Sequence, residues 1–138
     1  MIINGENLIL GRLSTVAAKK ALKGEKVDVV NCEKIVIVGN KNNILANYKQ
    51  KHEVGSVSKG PFQPKIPDRL VIIIIIWMLP YKQAKGKKAF QNVMCYMGIP
   101  DSLKDKKLES LKEAHIENKM TSFITIADVC RILWGKRI

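Results

Sequence analysis

Val27-Asp-Val-Val-Asn-Cys-Glu-Lys-Ile-Val-Ile-Val38 holds two β-branched runs, residues 27–31 and 35–38, with only Cys32-Glu33-Lys34 between them. Side chains of this kind suit a pleated, half-buried surface, so both runs are expected to be strands. The second is continuous and apolar, as in a strand covered on both faces. So short a link implies a hairpin or a sharp corner. Before it, residues 10–23 place Leu13, Val16, Ala17 and Ala21 on one stripe and Arg12, Lys19 and Lys23 on another, with Gly24 as the stop. That is the pattern of an amphipathic helix. After it, residues 40–51 return to helical spacing through Ile44, Leu45 and Tyr48. Met1-Ile-Ile-Asn-Gly5 reads as a short first strand and turn. Strands alternating with helices define an α/β chain.

Residues 84–94 are expected to be a helix with Ala89, Phe90 and Val93 on one face and Lys85, Lys87 and Lys88 near its start. A last strand follows over 94–97. Two further helices are expected in the tail. Residues 102–118 open on Ser102-x-x-Asp105 and residues 125–134 open on Thr125-x-x-Asp128, both N-terminal capping patterns. Residues 68–79 pull two ways. Five consecutive isoleucines favour a strand, whereas Asp68 as a cap, Pro80 as a stop and a length of about three turns favour a helix.

Charge is unevenly distributed. Residues 41–99 hold ten Lys or Arg against two acids, Glu53 and Asp68, and so supply +8 of the formal +12. Lysine-rich surfaces are often merely solvated. Here, however, the bases sit beside proline and glycine rather than beside acidic partners at helical spacing, in Gly60-Pro-Phe-Gln-Pro-Lys-Ile-Pro67 and Met78-Leu-Pro-Tyr-Lys-Gln-Ala-Lys-Gly-Lys-Lys88. A basic stretch that cannot neutralise itself calls for a polyanion, nucleic acid first.

Motifs for chemistry are sparse. Val38-Gly-Asn-Lys41 could begin a phosphate loop, but Asn42-Asn-Ile44 lacks the second glycine and the Lys-Ser/Thr pair, and no GxGxxG occurs. A turn glycine releasing a strand into a helix is the simpler reading. His52 and His115 stand far apart and outside any metal-spaced cluster. His52 is expected to meet solvent or RNA, and His115 to lie on a charged helix surface. Cys32, Cys95 and Cys130 form no CxxC pair and read as reduced, buried thiols. The longest apolar run, residues 70–79, is about half a membrane span, and no signal peptide opens the chain. The protein is therefore expected to be soluble and intracellular, with no membrane partner.

Six motifs then fall in a recognisable order. They are Leu10-Gly-Arg-Leu-Ser14, Val29-Val-Asn-x-Glu-Lys34, Ile37-Val-Gly-Asn-Lys41, Gly60-Pro-Phe62, Pro67-Asp-Arg69 and Met78-Leu-Pro-Tyr-Lys82. The last continues through Gly86 and Lys87 to Val93-Met-Cys-Tyr-Met-Gly98. The order resembles that of the large-subunit ribosomal protein L-thirteen family in its archaeal and eukaryotic form, over residues 1 to about 100. The resemblance implies a three-layer α/β/α domain with a small, mainly parallel four-stranded sheet. Residues 1–100 would be the RNA-binding domain with a basic loop over 52–67, followed by a helical extension over 101–138. It argues against a hairpin at Cys32–Lys34 and for a helix over 68–79.

It also implies a structural role: binding large-subunit ribosomal RNA beside neighbouring ribosomal proteins, supporting subunit assembly, in the cytoplasm, without catalysis, cofactor or small-molecule substrate. The positions matched to RNA contact are Arg12, Lys59, Gly60, Arg69, Lys82, Lys85, Gly86 and Lys87. Lys65 and Lys88 join them from the same basic run. Phe62 could stack on a base or pack on its own domain. One stretch departs from the family pattern. Leu70-Val-Ile-Ile-Ile-Ile-Ile-Trp77 puts isoleucine at 72, 73 and 76 where the family has bases, and Trp77 where it has glycine. The competing reading, from a different class, is a small α/β enzyme or binding module for a phosphorylated ligand. It needs a formed pocket with convergent polar groups at the carboxyl ends of the strands.

Overall fold

All four residues of β2 (Val27–Val30) are buried, and this strand is the centre of the sheet. The computed structural model describes residues 1–116 and 122–135. On one side β2 runs parallel to β1 (Ile2–Asn4), and β3 (Val36–Val38) departs from it altogether. On the other side it runs parallel to β4 (Val93–Cys95), with Ile3, Val29 and Cys95 level across the three strands. The strand covered on both faces is thus β2, not residues 35–38. In β3 Val36 is buried but Val38 is 39% exposed, because β3 forms an antiparallel ribbon with β5 (Phe123–Thr125).

The link between β2 and β3 is a corner. Asn31 adopts the left-handed conformation (φ 55°, ψ 43°), and Cys32–Lys34 makes one 3-10 turn that redirects the chain. Asparagine tolerates that backbone, and its Nδ2 donates to Asn4 Oδ1 at 2.8 Å. The sheet expected with four strands is therefore a three-stranded parallel sheet plus a separate two-stranded ribbon. The free edge of β1 takes a fourth contact instead: Asn4 N–H donates to Glu109 O at 2.9 Å and Glu109 N–H to Ile2 O at 2.8 Å.

Among the described residues five helices form: α1 (Leu10–Leu22), α2 (Lys41–Glu53), α3 (Pro67–Trp77), α4 (Ala84–Gln91) and α5 (Ile126–Trp134). Leu13, Ala17 and Ala21 of α1 pack into one core with Val71 and Ile75 of α3, Ala89 of α4, Cys130 of α5, and Ile3, Val29 and Val93 of the sheet. Asn40 caps α2, its Oδ1 accepting from Asn42 N–H at 3.0 Å. Ile44 of α2 makes a smaller cluster with Ile124 and Val129.

The isoleucine run is a helix, so tertiary packing outweighs β-propensity here. Ile66, rather than Asp68, is its N-cap, and Pro67 supplies the first turn with a preset φ. Leu70, Val71 and Ile75 are buried, and Ile72 and Ile74 pack against the same core. Ile72, Ile73 and Ile76 are all half-buried, but Ile72 packs on the core, whereas Ile73 and Ile76 belong to neither core cluster. Replacing Ile73 and Ile76 together by lysine should therefore cost less than about 1.5 kcal/mol, while Ile75→Lys should unfold the domain. Thermal melts of the two variants decide it. Equal loss in both would make the whole run internal.

The helix expected over 102–118 does not form. Asp101–Leu103 is a single 3-10 turn that buries Leu103, and Lys112–Ala114 is another that buries Ala114. Between them Glu109 commits its N–H and C=O to β1, which removes the backbone groups a helix would need. Residues 117 and 118 lie outside the described residues. The second tail helix forms as read: Thr125 Oγ1 accepts from Asp128 N–H at 3.2 Å and Gly135 ends α5 with φ 61°.

Candidate nucleic-acid interface

The turn between α3 and α4 sets the direction of the basic helix. Leu79 is buried, Gln83 N–H closes onto Pro80 O at 2.9 Å, and α4 then runs directly beneath Pro80 and Tyr81. A Cβ on Gly86 would lie 2.0 Å from Pro80 O and 2.8 Å from Tyr81 N. Gly86 is buried. Its glycine requirement therefore comes from close approach inside the chain, not from a phosphate reaching its backbone. With that face fixed, Lys85, Lys87 and Lys88 project to solvent, as does Lys82 just ahead of them. Lys85 and Lys88 line one cleft of about 490 Å³ together with Lys23 at the end of α1.

The basic loop closes on itself by a similar device. A Cβ on Gly60 would meet Ser56 O at 2.5 Å, and Gly60 N–H donates to that same oxygen at 2.7 Å. Gly60 is thus a packing glycine too, while Lys59 stands exposed beside it. Phe62 is 76% exposed, so the option of packing on its own domain is not taken. It shares a shallow hollow with Lys65, which sets an aromatic face next to a cation. Arg69 is exposed on the first turn of α3. Arg12 lies apart from this group: its Nη1 donates to Glu113 O at 3.1 Å and so holds the tail against α1.

Charge pairing sorts the bases. Among the described residues five ion pairs form: Lys20–Glu25, Lys34–Glu6, Lys49–Glu53, Lys104–Asp101 and Arg131–Asp128. None uses Arg12, Lys59, Lys65, Arg69, Lys82, Lys85, Lys87 or Lys88. The hollow beyond the carboxyl ends of β1 and β2 is different. It is lined by Glu6, Glu33 and Asp128 as well as Lys34 and Arg131, and two of those acids are paired with the two bases at 3.3 Å. A phosphorylated ligand would find no net positive charge there.

The three thiols are not activated. Cys32, Cys95 and Cys130 are free and buried. A hydrogen bond with the Cys95 thiol, together with burial, pushes the Cys32 thiol up, and burial pushes Cys130 up to about 11. Gly39 N–H is consumed by Ser122 O at 3.1 Å, so the Val38-Gly39 turn presents no phosphate cradle. His52 is not the solvent- or RNA-facing residue expected: it is half-buried, edge-on to Trp134 at 5.6 Å. His115 is exposed as expected, though on a bridge to Leu8 rather than a helix, with Nε2 2.9 Å from Ser110 Oγ. Among the described residues no cluster of three His, Cys, Asp or Glu could hold a metal ion, and no helix is long and apolar enough to cross a membrane.

An α/β domain that presents cations on its loops and on the first turns of two helices, none of them paired with an acid among the described residues, has the character of a basic binding protein. Comparison with known proteins agrees. The family model described as Ribosomal protein L13 matches residues 1–102. The chain is 38% identical to large ribosomal subunit protein uL13 of Archaeoglobus fulgidus over 96% of its length and 86% of that protein's. To the protein of the same name from Picrophilus torridus it is 40% identical, covering 95% and 94%. To that of Natronomonas pharaonis it is 42% identical, covering 80% and 79%. The chain belongs to the ribosomal protein L13 family.

Proposed function

We propose that the protein is a structural constituent of the large ribosomal subunit, acting in the cytoplasm, which binds large-subunit ribosomal RNA and supports subunit assembly beside neighbouring ribosomal proteins. The RNA-binding unit is residues 1–100. The described residues of the extension over 101–138 brace it, with Glu109 on the β1 edge and Ala114 in the core. One observation carries the reading: every basic side chain singled out from the sequence is exposed, and among the described residues none is paired with an acid. Phosphates are what such side chains neutralise. Lys59, Lys65, Arg69, Lys82, Lys85, Lys87 and Lys88 contact the backbone of the RNA, and Phe62 stacks on a base. Gly60 and Gly86 act one step removed, by shaping the loop and the helix that present those lysines. Sedimentation of a cell lysate tests this. The full chain should run with large subunits and leave them only at high salt, and recovery in the soluble fraction at low salt would refute the proposal.

A further inference from the structure

Helix α1 carries Arg12 and Lys19, and Lys23 is the residue that caps its C-terminal end. Spacings of seven and four residues put them on one helical face, about 16 Å from end to end. The opposite face is the buried one, through Leu13, Ala17 and Ala21. Lys19 and Lys23 are exposed, enter no ion pair among the described residues, and α1 itself carries no acid. The nearest acid in sequence, Glu25, is already held by Lys20 at 3.5 Å. At the Arg12 end the surface is different, because Glu113 borders the cleft that Arg12 and Lys19 share. At the other end the cleft between α1 and α4 has Lys23 on one wall and Lys85 and Lys88 on the other, and none of the described residues lining it is acidic. Small residues, Gly24 and Ala84 among them, line much of the rest of it.

We propose that α1 and α4 form one RNA surface, in which Lys19 and Lys23 lead a single phosphodiester strand into the α1/α4 cleft, where Lys85 and Lys88 grip it from the far side. This rests on the ribosomal RNA reading above and extends it to a helix outside the basic middle of the sequence. A row of point charges along a cleft suits a backbone of repeated charges and has no base-reading geometry, so the contact positions rather than specifies.

The test is binding of the full-length chain to protein-free large-subunit ribosomal RNA from an archaeal relative, over a salt series. Lys19→Gln combined with Lys23→Gln removes two contacts and keeps residues of similar helix propensity. The slope of log affinity against log salt should become shallower by about 1.4 to 1.8, and affinity at 100 mM salt should fall by roughly 25- to 60-fold. Adding Lys85→Gln and Lys88→Gln should deepen the loss by a similar factor. If the α1 pair keeps wild-type affinity and slope while the α4 pair loses both, the α1 surface is not part of the RNA site. If the α1 pair binds RNA normally but fails to enter subunits, α1 docks an acidic protein instead, and the proposal is equally overturned. Absence of salt-dependent binding by the unmodified chain would refute the ribosomal RNA reading itself.

Discussion

Gly86→Ala should destabilise the protein by about 2 kcal/mol or more, whereas Gly11→Ala, the same change in the other glycine-bearing helix, should stabilise it. In an exposed helix alanine is worth roughly 1 kcal/mol over glycine. Gly11 is exposed and an added Cβ has nothing within 4 Å, so that gain is realised in full. At Gly86 the added atom would sit 2.0 Å from Pro80 O and 2.3 Å from Pro80 C. Both are backbone atoms of a turn whose next side chain, Leu79, is anchored in the core. Overpacking of this kind costs about 1–3 kcal/mol, here at the upper end or beyond, and outweighs the propensity gain. For a domain of this size the melting temperature should fall by roughly 6–10 °C in one variant and rise by a few degrees in the other. Any relief must come from α4 tilting away from the turn. That would move Lys85, Lys87 and Lys88 as a group, so RNA affinity should drop as well, although no charge is altered. Two melts that shift in the same direction would remove the case for Gly86 as the fixed point beneath the basic helix.

How far the sequence could be read depended on where each signal came from. Local chemistry was legible. The Thr125-x-x-Asp128 cap, the stop after α1 at Gly24 and the turn glycine at 39 each act within a few residues, and the structure places them as read. Long-range pairing was not. Ser102-x-x-Asp105 looks equally good as a cap, but Glu109 is claimed by β1, more than a hundred residues away, and no local pattern reveals that. The same holds for residues 35–38. Their unbroken apolar character suited a central strand, yet the left-handed Asn31 turns them into a ribbon whose partner lies past residue 120. At the interface, the lysines and Arg69 were legible as charge without partners. The roles of Gly60 and Gly86 were not, because a glycine demanded by the chain's own backbone and one demanded by a ligand look identical in sequence. Lys23 was missed for another reason. It lies in the near-neutral first part of the chain and joins the basic middle only when α1 and α4 come together.

Binding to large-subunit ribosomal RNA should weaken by roughly 10³ to 10⁵ between 50 and 200 mM salt, the range expected when about six to ten phosphates are neutralised. The number of exposed, unpaired bases in the proposed site falls in that range, and those bases stand on separate elements: the loop after α2, the first turn of α3, the turn at Tyr81–Lys82, and α4. Within this set Lys85, Lys87 and Lys88 are the densest group, carried by a helix with no acid of its own. Replacing all three by glutamine should make the salt slope shallower by about 2 to 3, since each phosphate contact contributes a little under one. The fold should survive, because each of the three side chains is exposed and none is paired with an acid among the described residues. Stability and binding therefore come apart in this variant, while in Gly86→Ala they fall together. If the triple variant keeps both its affinity and its slope, α4 does not touch RNA, and the contacts must then be carried by the loop and by Arg69. The reason lies in counterion release. Glutamine leaves the shape and the hydrogen-bonding capacity largely in place, so a shallower slope measures phosphates no longer neutralised and not a surface that has lost its fit.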